Sequence, residues 1–381
     1  MKINLVMIVK NEERSLKRCL QAARPMVDEM IVVDTGSSDR TMEIAREAGA
    51  KVYEFSWVRD FSAARNYALS QSEADWNLVL DADEYVRPLK RKALVESLAR
   101  GDKQYGQGNW MGAILRFDSY RERQTGNSGE NGSKNDAGMI SVSSALLPRI
   151  LPKGVCYRGM IHEQPDTEMP CLLLPLKVDH DGYLLEGKSQ RNLEYLEEAV
   201  RQEPENPYYW YQMAVTLRES GKLQESLPWF RKLYSKDIGG GYRTDGMLRY
   251  LYTLMDIGTA AELDEAKTVI DREEAVLGKR ADFCFVCGLF YTKLVLSDVQ
   301  RYISYLPRIE ESYLSCLRIG EHPEAETVAG TGSFKAAYNL GLWYELSGQS
   351  QKARTYYQKS AKDGYEPAKE RLKMLGAKSG H

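Results

Sequence analysis

The stretch Asn77-Leu-Val-Leu-Asp-Ala-Asp-Glu-Tyr-Val86 constrains this chain more than any other. Trp76, Leu78, Val79 and Leu80 form an apolar run of the length of a buried strand. Three carboxylates, Asp81, Asp83 and Glu84, follow at once. At the mouth of a strand residues i and i+2 point the same way, so Asp81 and Asp83 are expected to face one cleft. Carboxylates that close repel each other unless a cation lies between them. A hard divalent ion shared with substrate phosphates meets that need. The plain alternative, an acidic turn that ends a strand and caps the next helix, is the commoner fate of an isolated Asp-x-Asp.

The flanking segments put the run in a sheet. Residues 3–9, 30–33 and 52–55 read as strands. Helical segments lie between them, through Leu16, Cys19 and Leu20 with Asn11 as cap, through Met42, Ile44 and Ala45, and over 61–69. Strands alternating with helices at this spacing predict an α/β domain with a mainly parallel sheet and helices on both faces. Ligands in such sheets bind beyond the carboxyl ends of the strands, so Asp34, Asp81 and Asp83 should line one cleft. From Ile114 onward the pattern is more strand-like, with further segments at 143–151 and 172–180. Residues 122–138 interrupt it with an almost purely polar, glycine-rich stretch, either a lid or acceptor-binding loop or a hairpin tip without fixed structure.

After Gly182-Tyr183 the character changes to amphipathic helix. Trp210, Met213, Ala214 and Leu217, a turn at Gly221, then Ser226 and Phe230 carry the spacing of a tetratricopeptide repeat. Leu340, Gly341, Tyr344, Gly348, Ala353 and Tyr357 repeat it near the end, with looser matches at Gly258, Ala266, Gly288 and Tyr291. At 381 residues the chain has room for two domains, here 1–185 and an all-α 186–381. A formal net charge of -2 gives no electrostatic reason to expect nucleic acid. No apolar run approaches a bilayer span. Six cysteines without a second Cys-x-x-Cys make Cys284 and Cys287 a reduced buried pair rather than a zinc site, and with no signal-peptide pattern the expected location is the cytoplasm.

Four motifs in order, Val9-Lys-Asn-Glu12, Val33-Asp-Thr-Gly-Ser-Ser-Asp-Arg-Thr41, Phe61-Ser-Ala-Ala-Arg-Asn66 and Leu80-Asp-Ala-Asp-Glu84, resemble the family 2 glycosyltransferases of the GT-A (Rossmann-like) fold. The ending His180-Asp-Gly-Tyr183 followed by repeats resembles the subgroup that glycosylates peptides, the S-glycosyltransferases of glycocin biosynthesis among them. The resemblance implies a UDP-sugar donor held by Val9, Asn11, Glu12, Asp34, Arg65, Asp81 and Ala82. It implies a Mn²⁺ or Mg²⁺ ion on Asp83 and His180, and an inverting transfer. Glu163 falls where the family places its catalytic base, with His162 beside it as competitor. The acceptor it implies is a peptide or protein side chain (Ser, Thr or Cys), recruited by the repeats, which also offer a surface for a homodimer. A glycan or lipid acceptor, or a non-catalytic repeat adaptor, are the alternative readings.

Overall fold

The computed structural model describes residues 1–121, 140–182, 189–236, 241–322 and 326–378. The 122–138 stretch and Tyr183, which the sequence reading singled out, lie outside the described residues. The chain divides into two compact units, Met1–Asn206 and, but for Glu326, the residues from Pro207 onward. The first carries past the expected boundary at 185.

In the first unit the strands are β1 Ile3–Val9, β2 Glu29–Asp34, β3 Lys51–Glu54, β4 Trp76–Val79, β5 Glu84–Val86, β6 Met111–Arg121, β7 Ile140–Pro152, β8 Tyr157–Arg158, β9 Gln164–Pro165 and β10 Cys171–His180. The helices are α1 Leu16–Ala23, α2 Thr41–Glu47, α3 Phe61–Ser70, α4 Arg91–Tyr105 and α5 Ser189–Gln202. Eight strands form one sheet in the order β3-β2-β1-β4-β7-β6-β10-β5, and β8 pairs with β9. The β1, β2, β3 and β4 pairings are parallel, as is β6 with β10; β7 runs against both its neighbours and β5 against β10. This matches the mainly parallel sheet expected from the alternating pattern, with antiparallel strands added beyond β4.

Both sheet faces are covered, so β1 is apolar but for Asn4, whose buried amide donates to Ser72 Oγ at 3.1 Å. Leu5, Met7 and Val9 join Leu16, Cys19, Leu20 and Ala23 of α1 in one core cluster, while Val6 packs with Ile31, Val33 and Ala68 on the other face. The side-chain period of α1, apolar at 16, 19, 20 and 23, is what lets it lie flat on the sheet. Helix α3 starts where Asp60 accepts the Ala63 N–H at 3.0 Å.

The second unit is helical: α6 Pro207–Glu219, α7 Leu223–Tyr234, α8 Gly241–Ile257, α9 Ala260–Leu277, α10 Ala281–Ser297, α11 Val299–Tyr302, α12 Leu306–Ile319, α13 Phe334–Leu346, α14 Ser350–Lys362 and α15 Glu366–Lys378. Small residues let neighbouring helices approach. A Cβ at Gly341 would lie 2.6 Å from the Tyr357 ring, and one at Gly288 2.6 Å from the Tyr313 ring. Cys284, Cys287 and Cys316 are free thiols buried in this core, and burial raises the pKa of each. Among the described residues no helix is long and apolar enough to cross a membrane.

Candidate active site

The loops after β1 and β2 are laced together at the carboxyl end of the sheet. Val9 O accepts from the Thr35 N–H at 2.9 Å and its hydroxyl at 3.1 Å. The Asn11 N–H donates to Ser37 Oγ (2.9 Å), and its Oδ1 accepts from the Ser38 N–H (2.8 Å). The Glu12 N–H donates to Thr41 Oγ1 at 2.7 Å. Asn11 therefore does not cap α1. Its backbone is left-handed (φ 55°), which brings its side chain to the neighbouring loop, and Ser15 stands at the cap position instead. Asp34 folds the second loop: its Oδ2 accepts the N–H groups of Gly36 and Ser37, both at 2.9 Å, a turn that places Gly36 at φ 101°. Its other oxygen, Oδ1, is buried with no hydrogen-bond partner.

After β4 the chain does not stay extended. The Glu84 N–H closes a turn onto Asp81 O at 3.1 Å, and Glu84 Oε2 accepts the Asp81 N–H at 3.0 Å. The alternation expected to put Asp81 and Asp83 on one face therefore does not apply, because the strand ends at Val79. Ala82 between them is buried. Asp81 turns to two arginines: Arg65 Nη2 bonds its Oδ1, and Arg149 Nη2 lies 2.7 Å from its Oδ2. Asp83 turns to His180, whose Nε2 is 3.6 Å from Asp83 Oδ2.

These contacts belong to one chain of alternating charge. Glu163 Oε1 accepts from Arg65 Nε at 2.7 Å, so Arg65 bridges Glu163 and Asp81. Arg149 reaches Glu84 Oε1 at 2.9 Å, and Arg116 Nη1 reaches the same oxygen at 3.1 Å. Arg116 Nε lies 2.7 Å from Asp118 Oδ1, which is also 2.7 Å from His180 Nδ1. Glu84 is 0% exposed, and a buried charge of this kind is tolerable only because it is paired. Strand register assembles the far end of the chain: His180 on β10 sits between Glu84 on β5 and Asp118 on β6.

The electrostatics follow from the contacts. Burial opposes the charged form of Asp81, but Arg65 and Arg149 outweigh it and hold the carboxyl well below the usual range. Burial likewise disfavours a charged His180, yet the bonds to Asp118 and then Asp83 raise it to about 9. His162 behaves oppositely. Burial alone lowers it to about 4, no charged group contributes, and its Nε2 has no partner. The ring is thus neutral and set apart from the charge chain, while Glu163 next to it is part of that chain.

The geometry also tests a divalent ion. A Cβ at Gly182 would overlap Asp83 Oδ2 and stand 2.6 Å from His180 Nε2, so the glycine leaves room beside that pair. One carboxylate oxygen and one imidazole nitrogen fit Mn²⁺ well, and Mg²⁺ with its preference for oxygen less well. Two protein donors leave the remaining positions to phosphate and water. Among the described residues no group of three or more His, Cys, Asp or Glu side chains is gathered as a self-sufficient cage.

The family model for glycosyl transferase family 2 matches residues 5–146, a span holding both loops and the Asp81–Asp83 turn. A TPR repeat-containing protein of Synechococcus elongatus is 31% identical over 301 residues, 74% of this chain and 67% of that protein. The SPbeta prophage-derived glycosyltransferase SunS of Bacillus subtilis is 28% identical over 244 residues, 59% of this chain and 51% of its own length. The chain belongs to glycosyltransferase family 2. It spans about two thirds of the first relative and about half of the second. The solved glucosyl-3-phosphoglycerate synthase of Mycobacterium tuberculosis, in complex with Mg²⁺ and UDP, is 24% identical over 31% of this chain and 43% of that one. The TM-score is 0.24, an overlap too slight to carry an argument.

In this glycosyltransferase the structure brings Asp34, Arg65, Asp81, Asp83, Glu163 and His180 to one end of the sheet. Val9, Asn11 and Glu12 have backbone groups engaged in holding the loops. Sequence reasoning missed Arg149, Arg116 and Asp118, and took Glu84 only as a third carboxylate. The signal for each was a charge inside an apolar strand, as in Leu147-Pro-Arg149-Ile-Leu151, which cannot be buried without a partner. Tyr157 was missed too. Its buried hydroxyl and Arg65 Nη1 both lack hydrogen-bond partners, and the hydroxyl lies in the field of Arg149, Arg65, Glu163 and Asp81.

Proposed function

We propose that this glycosyltransferase moves a sugar from a UDP-sugar to a hydroxyl or thiol of a peptide or protein, with inversion, in a reaction dependent on a divalent ion. The observation that carries the reading is the Asp83–His180 pair at 3.6 Å beside Gly182, at the same sheet end as Asp34. The unpartnered Asp34 Oδ1 suits a donor from the base or ribose, since a buried acceptor left empty is costly. Bound on Asp83 and His180, Mn²⁺ or Mg²⁺ would neutralise the departing diphosphate. Arg65 and Arg149 hold Asp81 in place. Glu163 is the favoured base for an acceptor hydroxyl; a cysteine thiol, with its lower pKa, would depend on it less. The resemblance of the His180-Asp-Gly-Tyr183 ending to peptide-modifying members, and helical repeats whose concave faces commonly bind peptides, support a peptide acceptor.

Calorimetry and transfer assays test this. Wild type should bind UDP with Mn²⁺ and lose that binding in EDTA. Asp83→Ala should lose the Mn²⁺-dependent binding while its helical circular dichroism is unchanged; unaltered UDP affinity would exclude the metal role. Glu163→Gln should bind donor normally yet lose transfer to a hydroxyl acceptor by about 10²–10⁴-fold. Retained turnover would exclude it as the base.

A further inference from the structure

The bond between His180 Nδ1 and Asp118 Oδ1 leaves the ring with one nitrogen committed and the other, Nε2, directed to Asp83. Asp118 is itself held. Arg116 Nε is 2.7 Å from Oδ1, and Arg116 Nη2 donates to Oδ2 at 3.3 Å. Arg116 is anchored in turn on Glu84, whose Oε2 caps the Asp81 N–H. Position is therefore transmitted from the Asp81–Glu84 turn, through Arg116 and Asp118, to the imidazole.

We propose that Asp118 is a positioning residue for the divalent ion: it fixes the His180 ring so that Nε2 faces the opening which Gly182 leaves beside Asp83. The inference rests on the reading that Asp83 and His180 hold that ion. A metal-bound histidine donates its other N–H to a carboxylate or carbonyl, which sets both tautomer and ring angle. Asp118 is placed for this by strand pairing, directly across from His180 in the β6–β10 register. Turning the ring over would put a carbon against Asp118 and lose this hydrogen bond to a buried carboxylate, so the arrangement selects one ring orientation. Gly182 completes the argument from the other side, because any side chain there would occupy the space between the two donors.

The test is calorimetric titration of Mn²⁺ into protein saturated with UDP, with the ligand-free melting temperature measured in parallel. Asp118→Ala should weaken Mn²⁺ by about 10- to 100-fold. Asp118→Asn, whose amide oxygen still accepts from Nδ1–H, should stay within a few-fold of wild type. Gly182→Ala should abolish the Mn²⁺-dependent part. A merely structural Asp118 would instead lower the melting temperature and leave Mn²⁺ affinity unchanged, which overturns the proposal. If Asp118→Ala does not fold, nitrogen-15 NMR of wild type with UDP and Mg²⁺ decides. A proton on His180 Nδ1 supports the assignment, and a proton on Nε2 with Nδ1 bare overturns it. Wild type that binds UDP without any metal dependence would instead sink the parent reading, and this one with it.

Discussion

His162 is held in a left-handed backbone conformation, φ 51°, with its ring largely buried and no charge nearby. Its folded pKa of about 4 lies below the ordinary 6.5, so the unfolded chain binds the extra proton first as the solution is acidified. Stability from this group is complete above pH 6.5 and is lost as pH falls toward 4. The shift corresponds to at most about 3 kcal/mol. Between pH 7 and pH 4.5 the unfolding free energy from urea titrations should fall by about 2–3 kcal/mol more in wild type than in His162→Gln. Equal acid sensitivity in the two proteins would show that the ring is solvated. Nothing in the residues Ile161-His162-Glu163 foretold this, because local sequence does not encode that the His162 ring is buried without a partner while Glu163 reaches Arg65. Asp34, Asp83 and His180 were readable because each follows or ends an apolar run, which fixes its place at a strand end. Asp118 and Arg149 were not. Their partners are 62 and 68 residues away in the chain, and only strand pairing brings them together.

Among the elements, the repeat helices were the most legible. Each pair needs a small residue where a large ring from the next helix arrives, and that demand leaves a spacing in the sequence. Gly341 meets Tyr357, whose ring is fully buried and whose hydroxyl donates to Glu345 Oε2 at 2.7 Å. The ring therefore has little freedom to yield. Gly341→Ala gains about 1 kcal/mol of helix propensity but forces a contact costing about 1–3 kcal/mol, so a net loss of about 1 kcal/mol is expected in chemical denaturation. Gly376, exposed and with nothing near a new Cβ, is the control: alanine there should be neutral or slightly stabilising. Equal effects at the two sites would mean that the Tyr357 ring moves aside. The middle repeats were blurred because α11 and a short 3-10 turn separate α10 from α12, so Gly288 finds its ring on Tyr313 rather than at the usual interval. In the sheet, β1 to β4 were legible from alternation with helices. The placing of β5, β6, β7 and β10 was not, since order in a mixed sheet depends on pairings between distant segments that local pattern does not encode.

For the whole molecule the question is where one folding unit ends. Composition changes after Tyr183, yet α5 belongs to the first unit. The sequence could not show this, because an amphipathic helix looks alike whichever apolar surface it covers. The contacts that bind α5 are specific: Trp57 Nε1 donates to Tyr195 Oη at 3.2 Å, Phe61 meets Tyr195 edge-on at 6.2 Å between centroids, and Arg59 lies 4.9 Å above the same ring. Trp57 and Phe61 flank the start of α3, the helix that carries Arg65 into the charge chain. A fragment of residues 1–206 should therefore melt cooperatively and keep Mn²⁺-dependent UDP binding. A fragment of residues 1–185 leaves Trp57 and Phe61 without Tyr195, forfeiting about 1.5–3 kcal/mol for the buried ring and freeing the segment before α3. It should melt at a lower temperature and bind UDP more weakly, both measurable on the same two fragments by circular dichroism and calorimetry. If the shorter fragment matched the longer in both, α5 would be a passenger, and the unit boundary would lie where the composition changes.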